Sequence, residues 1–171
     1  GGTIVLGDIL EKRVPGGLEK YAAKRLFGPL GIERYKWQYT PQNVPNTAGG
    51  LQLRALDLAR FGEVYRNGGK WNGKQIVPRA WVEKSLTRHA ALPDDQFYGY
   101  LFWNKTFRVA EKPFEAFYAS GNGGNKVFVF KKQRLVIVIT ATAFGQPYAH
   151  SQSDRIVEKF LLPAMGAVKS K

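Results

Sequence analysis

At Pro93 the spacing of the apolar residues changes, and that change restricts the fold more than any other feature of the chain. Before it, apolar residues recur at the three- and four-residue intervals of helices. After it, FYGYLFW, FEAFYA, KVFVF and RLVIVITAT are aromatic and β-branched, as strands are. KVFVF and RLVIVIT are separated only by residues 131–133, a hairpin connection. Residues 151–162 then return to a helical pattern, with Ile156, Val157, Phe160 and Leu161 apolar. Helices, then a meander, then a helix predict an α+β domain: an antiparallel sheet flanked by helices.

The first half resolves into separate helices. Residues 3–13 carry Ile4, Ile9 and Leu10 on one side and stop before Pro15-Gly16-Gly17. Residues 18–27 form a second helix, closed by Gly28 and Pro29. Residues 31–50 hold Pro41, Asn43, Pro45 and Asn46 and read as a long ordered loop, of the kind that usually has a function. Residues 55–67 form a third helix, with Asp57 in the first turn, where the dipole favours an acid. Leu56, Ala59, Phe61 and Val64 are its expected inward side. NGGKWNGK is a double turn signal, and Pro78 opens a fourth helix whose apolar side is Trp81, Val82 and Leu86.

Composition removes several kinds of chemistry. With no cysteine among 171 residues, thiol catalysis and disulfides are excluded. His89 and His150 stand far apart in sequence and form no metal-ligand cluster, so neither metal nor cofactor is expected. The net charge of +13 suggests nucleic acid, but the basic residues are scattered through EKR, KYAAKR and KKQR without a block or a motif, so no nucleic-acid partner is expected. There is no apolar run long enough for a transmembrane helix.

No serine stands in a self-sufficient catalytic motif. Ser85 lacks a lysine three residues on, and Ser120 lies in Ala-Ser-Gly rather than a nucleophile elbow. Ser151 and Ser153 read as the start of the last helix. Tyr65-Arg66-Asn67 matches Tyr-x-Asn but sits at a helix end, where Tyr65 is expected to pack and Asn67 to stop the helix. His89 is placed to cap the fourth helix, and His150 either borders a pocket or begins the last helix. What remains is YASGNGGNKVFVF, whose glycine-rich centre is either a wide hairpin turn or a strand edge offering backbone N–H groups to an oxyanion.

The order of LFGPLGI, AGGLQLRALDLARFGEVYRNGGKWNGKQIVPRAWVEKS, YGYLFW and YASGNGG resembles the serine β-lactamase-related family, which includes class C β-lactamases, penicillin-binding proteins and esterase-like serine hydrolases. The resemblance implies a β-lactamase/transpeptidase-like fold. It implies that residues 1–171 are the carboxy-terminal portion of one domain, with the Ser-x-x-Lys and Tyr-x-Asn of the family upstream and no catalytic residue in this portion. The partner is then the amino-terminal part of the same domain, and the substrate a small amide or ester. The family's Lys-Thr-Gly or His-x-Gly falls on Ala119-Ser120-Gly121, so a cation is missing at Ala119. Ser120 supplies the hydroxyl, Gly121 admits the substrate, and the Asn122 N–H is the second oxyanion donor. Tyr118 and Gly123 complete the expected pocket.

The resemblance favours a periplasmic or extracellular location and an amide or ester outside the antibiotics. It also implies exposed apolar surface at Ile4, Ile9, Leu10 and Leu30 with a tendency to self-associate. The alternative is a non-catalytic relative that binds a ligand, to which Ala119 points.

Overall fold

A computed structural model describes residues 1–167. The chain opens with α1 (Gly2–Arg13) and α2 (Leu18–Ala22), the latter running on through a π turn, Ala23–Phe27. Two short strands follow, β1 (Tyr35–Trp37) and β2 (Leu51–Leu53), then α3 (Ala55–Arg66), the small hairpin β3 (Lys70–Trp71) and β4 (Lys74–Gln75), and α4 (Arg79–Ser85). The second half is β5 (Ala90–Leu92), β6 (Gln96–Tyr98), β7 (Trp103–Val109), β8 (Lys112–Gly121), β9 (Asn125–Phe130) and β10 (Leu135–Ile139). It closes with α5 (Ala149–Ile156), a π turn at Val157–Leu161 and α6 (Leu162–Ala167).

Strands β5 to β10 form one antiparallel sheet in the order β10-β9-β8-β7-β6-β5, a plain meander with β10 at one edge. The alternation of each strand puts one set of side chains on each face. Phe107, Tyr118, Phe128 and Phe130 lie on one face and are covered by Val157 and Leu162 of the C-terminal helical segment. Val129 lies on the other, packed with Tyr65, Val82, Leu86 and Phe102. Gly62 brings α3 close to the sheet: a Cβ there would stand 2.7 Å from Val136 Cγ1 and 2.9 Å from Val127 Cγ1. A third cluster, Phe27, Leu30, Ile32 and Val64, ties α2 and the following turn to α3.

The α+β expectation holds, with several corrections of detail. The sheet is flanked by α3 and the C-terminal helices, while the first helix packs against α2 and is touched by Thr47. Residues 31–50 are not all loop, because β1 pairs with β2, Trp37 opposite Leu51. Leu56 is 74% exposed, and Trp81 and Phe160 also face outward, so on three helices a residue expected on the apolar side lies outside the core. Leu30 is buried at 1% exposure because Ile32 and Phe27 enclose it; Ile4, Ile9 and Leu10 are exposed as expected.

Candidate functional site

Strand β8 ends at Gly121, turns through a 3-10 segment, Asn122–Gly124, and returns as β9, with Ser120 opposite Lys126 and Gly121 opposite Asn125. The turn lies at the rim of a cleft of about 830 Å³. One side of the cleft is Ala119, Ser120, Gly121 and Asn122. Another is Gln38, Gly50 and Leu51 with their neighbours on the β1–β2 pair, and a third is Thr140, Thr142 and Phe144 beyond β10. The cleft thus wraps around the open end of the sheet.

Two of the six expected wall residues lie elsewhere. Tyr118 shares a face with Ser120 but sits two residues deeper, buried at 4% exposure, with its hydroxyl donating to Gln96 Oε1 at 2.8 Å. Burial, with Asp154 nearby, pushes its phenol up to about 12. Gly123 is buried behind the turn against Phe144.

The glycines therefore serve two ends. Gly123 (φ 78°) and Gly124 (φ 89°) adopt the left-handed conformation that favours glycine. A Cβ on Gly123 would lie 2.8 Å from Phe144 Cδ1, and one on Gly124 would run into the Ala149 carbonyl and 3.0 Å from Ser153 Oγ. These two are glycine because the fold demands it. Gly121 has φ −117° and its nearest neighbour would be Asn125 Cβ at 3.5 Å, so the fold leaves room there.

The segment after β10 and the start of α5 hold the turn from behind. Asn125 Nδ2 donates to the carbonyls of Asn122 (2.7 Å) and Ala141 (3.0 Å), and its Oδ1 accepts from the Ala141 N–H at 3.1 Å. The Ala143 N–H donates to Gly123 O at 3.2 Å. Ser153, buried, donates from Oγ to Gly124 O at 2.5 Å, so its expected helix-capping role is replaced by a clasp on the turn. Ser151 donates to the Tyr148 carbonyl instead of capping.

No cation stands at Ala119, and the lysine on the neighbouring strand is already paired. Lys126 faces the helix side, where its ammonium donates to Asp154 Oδ1 at 2.8 Å; the other oxygen, Oδ2, accepts from Lys105 at 2.5 Å. Burial lowers the Lys126 pKa and Asp154 opposes that shift. Both ammonium groups also lie near the Tyr118 ring, at 4.9 and 5.3 Å.

His150 begins α5 and also borders the site: its Nδ1 lies 3.4 Å from Ser120 Oγ. That contact was not legible in the sequence, where thirty positions separate the two. Its length exceeds the reach of an activating base, and no carboxylate among the described residues orients the imidazole. The remaining candidates are structural: Ser85 donates to the Val82 carbonyl, Tyr65 packs on Phe61 and Phe102, Asn67 closes α3 by donating to Glu63, and His89 meets the Lys84 carbonyl at 2.8 Å. Among the described residues no cluster could hold a metal ion, and no helix is long and apolar enough to cross a membrane.

The family model described as Beta-lactamase matches residues 1–159. No curated protein matches the chain. Among solved structures, the chain is similar to a Bacillus anthracis protein assigned as a 6-aminohexanoate-dimer hydrolase, with 22% identity and a TM-score of 0.69 over 85% of this chain and 38% of that one. It is similar to an octameric penicillin-binding protein homologue from Pyrococcus abyssi, with 20% identity and a TM-score of 0.72 over 95% of this chain and 41% of that one. A penicillin-binding protein from Bacillus halodurans matches at 16% identity and a TM-score of 0.63, over 91% and 54% of the two chains. At these identities the likeness is one of fold, and this chain spans about two fifths to a little over half of each neighbour.

Proposed function

The chain belongs to the beta-lactamase family, and on that premise we propose that it supplies the oxyanion and substrate-binding wall of a serine acyl hydrolase. The nucleophile, its lysine and the general-base tyrosine come from the part of the domain outside these residues. In this reading an amide or ester carbonyl enters the cleft at the end of β8. The serine oxygen adds to it, and the carbonyl oxygen takes negative charge and is met by two N–H groups, one from the nucleophile's own residue and one from Asn122. Departure of the amine or alcohol leaves an acyl-serine, which water hydrolyses.

The observation that carries the reading is Gly121. It is the one glycine of the turn that the fold leaves free, and it lies on the cleft wall beside Asn122. Ser120 offers a hydroxyl to the substrate, with His150 within 3.4 Å of it. The absence of a cation at Ala119, and the commitment of Lys126 to Asp154, favour substrates without a carboxylate at this wall. The two carbonyl-facing glycines behind the turn do not enter the chemistry.

A clean test exists because Asn122 is the first residue of its turn and Gly121 before it is extended (φ −117°, ψ 158°). Proline is favoured at a first helical position and requires an extended predecessor, so Asn122→Pro removes the N–H with little disturbance. In the complete domain, assayed on nitrophenyl esters and anilides, kcat should fall by about 10²–10³. Retention of the wild-type rate would sink the oxyanion role. A second reading, a ligand-binding relative without catalysis, draws on Ala119; binding without any turnover by the complete domain would select it. Self-association through the exposed residues of α1 remains part of the proposal for this chain handled alone.

A further inference from the structure

Flanked by Gly121 and Gly123, Asn122 sits in the most permissive stretch of the chain, where the backbone has little stiffness of its own. An oxyanion donor, by contrast, must be held within a fraction of an ångström of its target before the charge develops. Something outside the three residues must therefore fix the turn, and the side chain of Asn125 has the required contacts. It uses both amide hydrogens and its oxygen. One hydrogen goes to Asn122 O at 2.7 Å, the second to Ala141 O at 3.0 Å, and the oxygen takes the Ala141 N–H at 3.1 Å.

Ala141 lies just past the end of β10, where ladder pairing with β9 stops at Ile139 opposite Lys126. The Asn125 side chain replaces the next rung: it presents Ala141 with an amide that donates and accepts as a backbone would. It thereby locks the turn to the sheet edge on one side while its own backbone pairs with Gly121 on the other. With the Asn122 carbonyl pinned and Gly121 held in register, the rotation of the Asn122 residue, and so the direction of its N–H, is determined.

We propose that Asn125 is the positioning residue of the oxyanion donor: it acts through Asn122 without touching the substrate. The inference rests on the hydrolase reading above, but its structural part can be tested apart from it. No shorter or differently charged side chain reproduces the three bonds. Asp keeps the acceptor for Ala141 and sets a negative charge against two carbonyl oxygens. Gln has the same amide one methylene too far out.

The experiment compares Asn125→Ala, Asn125→Asp and Asn125→Gln in the complete domain by ester hydrolysis, thermal melting and amide hydrogen exchange across residues 119–143. The expected result is a kcat lowered about 10- to 100-fold in Asn125→Ala, KM within about threefold of wild type, partial recovery in Asn125→Gln and the lowest rate in Asn125→Asp. Exchange of the Ala143 N–H, which donates to Gly123 O at 3.2 Å, should rise at least tenfold while the melting temperature moves little. A variant set that melts lower but keeps kcat and local exchange would overturn the proposal, as would a loss confined to KM. If the wild-type domain shows no turnover, the hydrolase reading fails by itself. The exchange measurement still decides the role of Asn125: unchanged protection in Asn125→Ala overturns it, and raised protection loss limited to the turn upholds it.

Discussion

Replacing Gly121 and Gly124 separately by alanine should give opposite phenotypes, although the two lie three residues apart in the same turn. At Gly124 (φ 89°) any Cβ forces a left-handed residue, at about 1–2 kcal/mol. It also forces a collision with the Ala149 carbonyl and with Ser153 Oγ 3.0 Å away, an overpacking cost of about 1–3 kcal/mol. The sum, roughly 3 kcal/mol, is a large share of the roughly 5–15 kcal/mol by which domains are stable. With a urea m-value of about 2 kcal/mol/M, the midpoint should fall by about 1.5 M. At Gly121 (φ −117°) the conformation suits any residue and the nearest atom is 3.5 Å away. Alanine there also stiffens the unfolded chain, so the net change should stay within about 1 kcal/mol. Its methyl group enters the cleft, and the cost appears as lost turnover. Urea titration and ester hydrolysis on the same preparations of the complete domain separate the two. The reasoning fails if Gly121→Ala unfolds as readily as Gly124→Ala, or if it leaves kcat/KM at the wild-type value.

Asp57 is fully buried and accepts from Arg54 at 2.7 and 3.1 Å and from Arg60 at 3.1 Å, and these partners hold its carboxyl below the usual range, the Arg54 hydrogen bond foremost. A depressed carboxylate stabilises the fold above its unfolded value, near 3.9, and that contribution disappears as the pH falls through the lower folded value. Asp57→Ala should accordingly cost about 2–3 kcal/mol at pH 7 and the deficit should shrink in acid, as urea titrations at pH 7 and pH 3 would reveal. Asp154→Asn leaves the buried Lys126 ammonium without its counter-charge and should destabilise by about 3–5 kcal/mol, with partial recovery in the Lys126→Met, Asp154→Asn double variant; an unchanged melting temperature in the single variant would contradict this. On α1, Ile9→Lys with Leu10→Glu should reduce association of this chain in sedimentation, because both side chains are about half exposed and nothing in the described residues covers them.

Much of this organisation was legible in the residues. The change of period at Pro93 separates helices from sheet, and YASG, KVFVF and RLVIVIT pair as their alternation requires. Strand β7 is harder to read, because Lys105 and Arg108 interrupt its apolar pattern; Lys105 reaches over the Phe107 and Tyr118 rings while Arg108 is exposed. Helix faces failed where an apolar residue lies beside the buried stripe, as with Leu56 next to Asp57: a carboxylate with two arginine partners took the inward position that hydrophobicity assigned to leucine. At the site, Ala119, Ser120, Gly121 and Asn122 line the cleft, while Tyr118 and Gly123 do not. The roles of Ser153, Asn125 and His150 depend on α5 and the segment after β10 returning to the turn. Contacts across that distance in sequence leave no periodic signal.

Strand β10 carries a consequence of another kind. It is an edge of the six-stranded sheet, and Leu135–Ile139 is five β-branched or leucine residues without a charge. Such an edge is a template for another chain to join in register. Lys131, Lys132 and Arg134 stand directly before it and act as gatekeepers, keeping like edges apart by repulsion. The net charge of +13 then works as colloidal protection for a strand whose outer edge has no partner among the described residues. Since repulsion between exposed charges is screened over about 10 Å at 0.1 M salt and about 3 Å at 1 M, the solubility of this chain should be limited by ionic strength before it is limited by temperature.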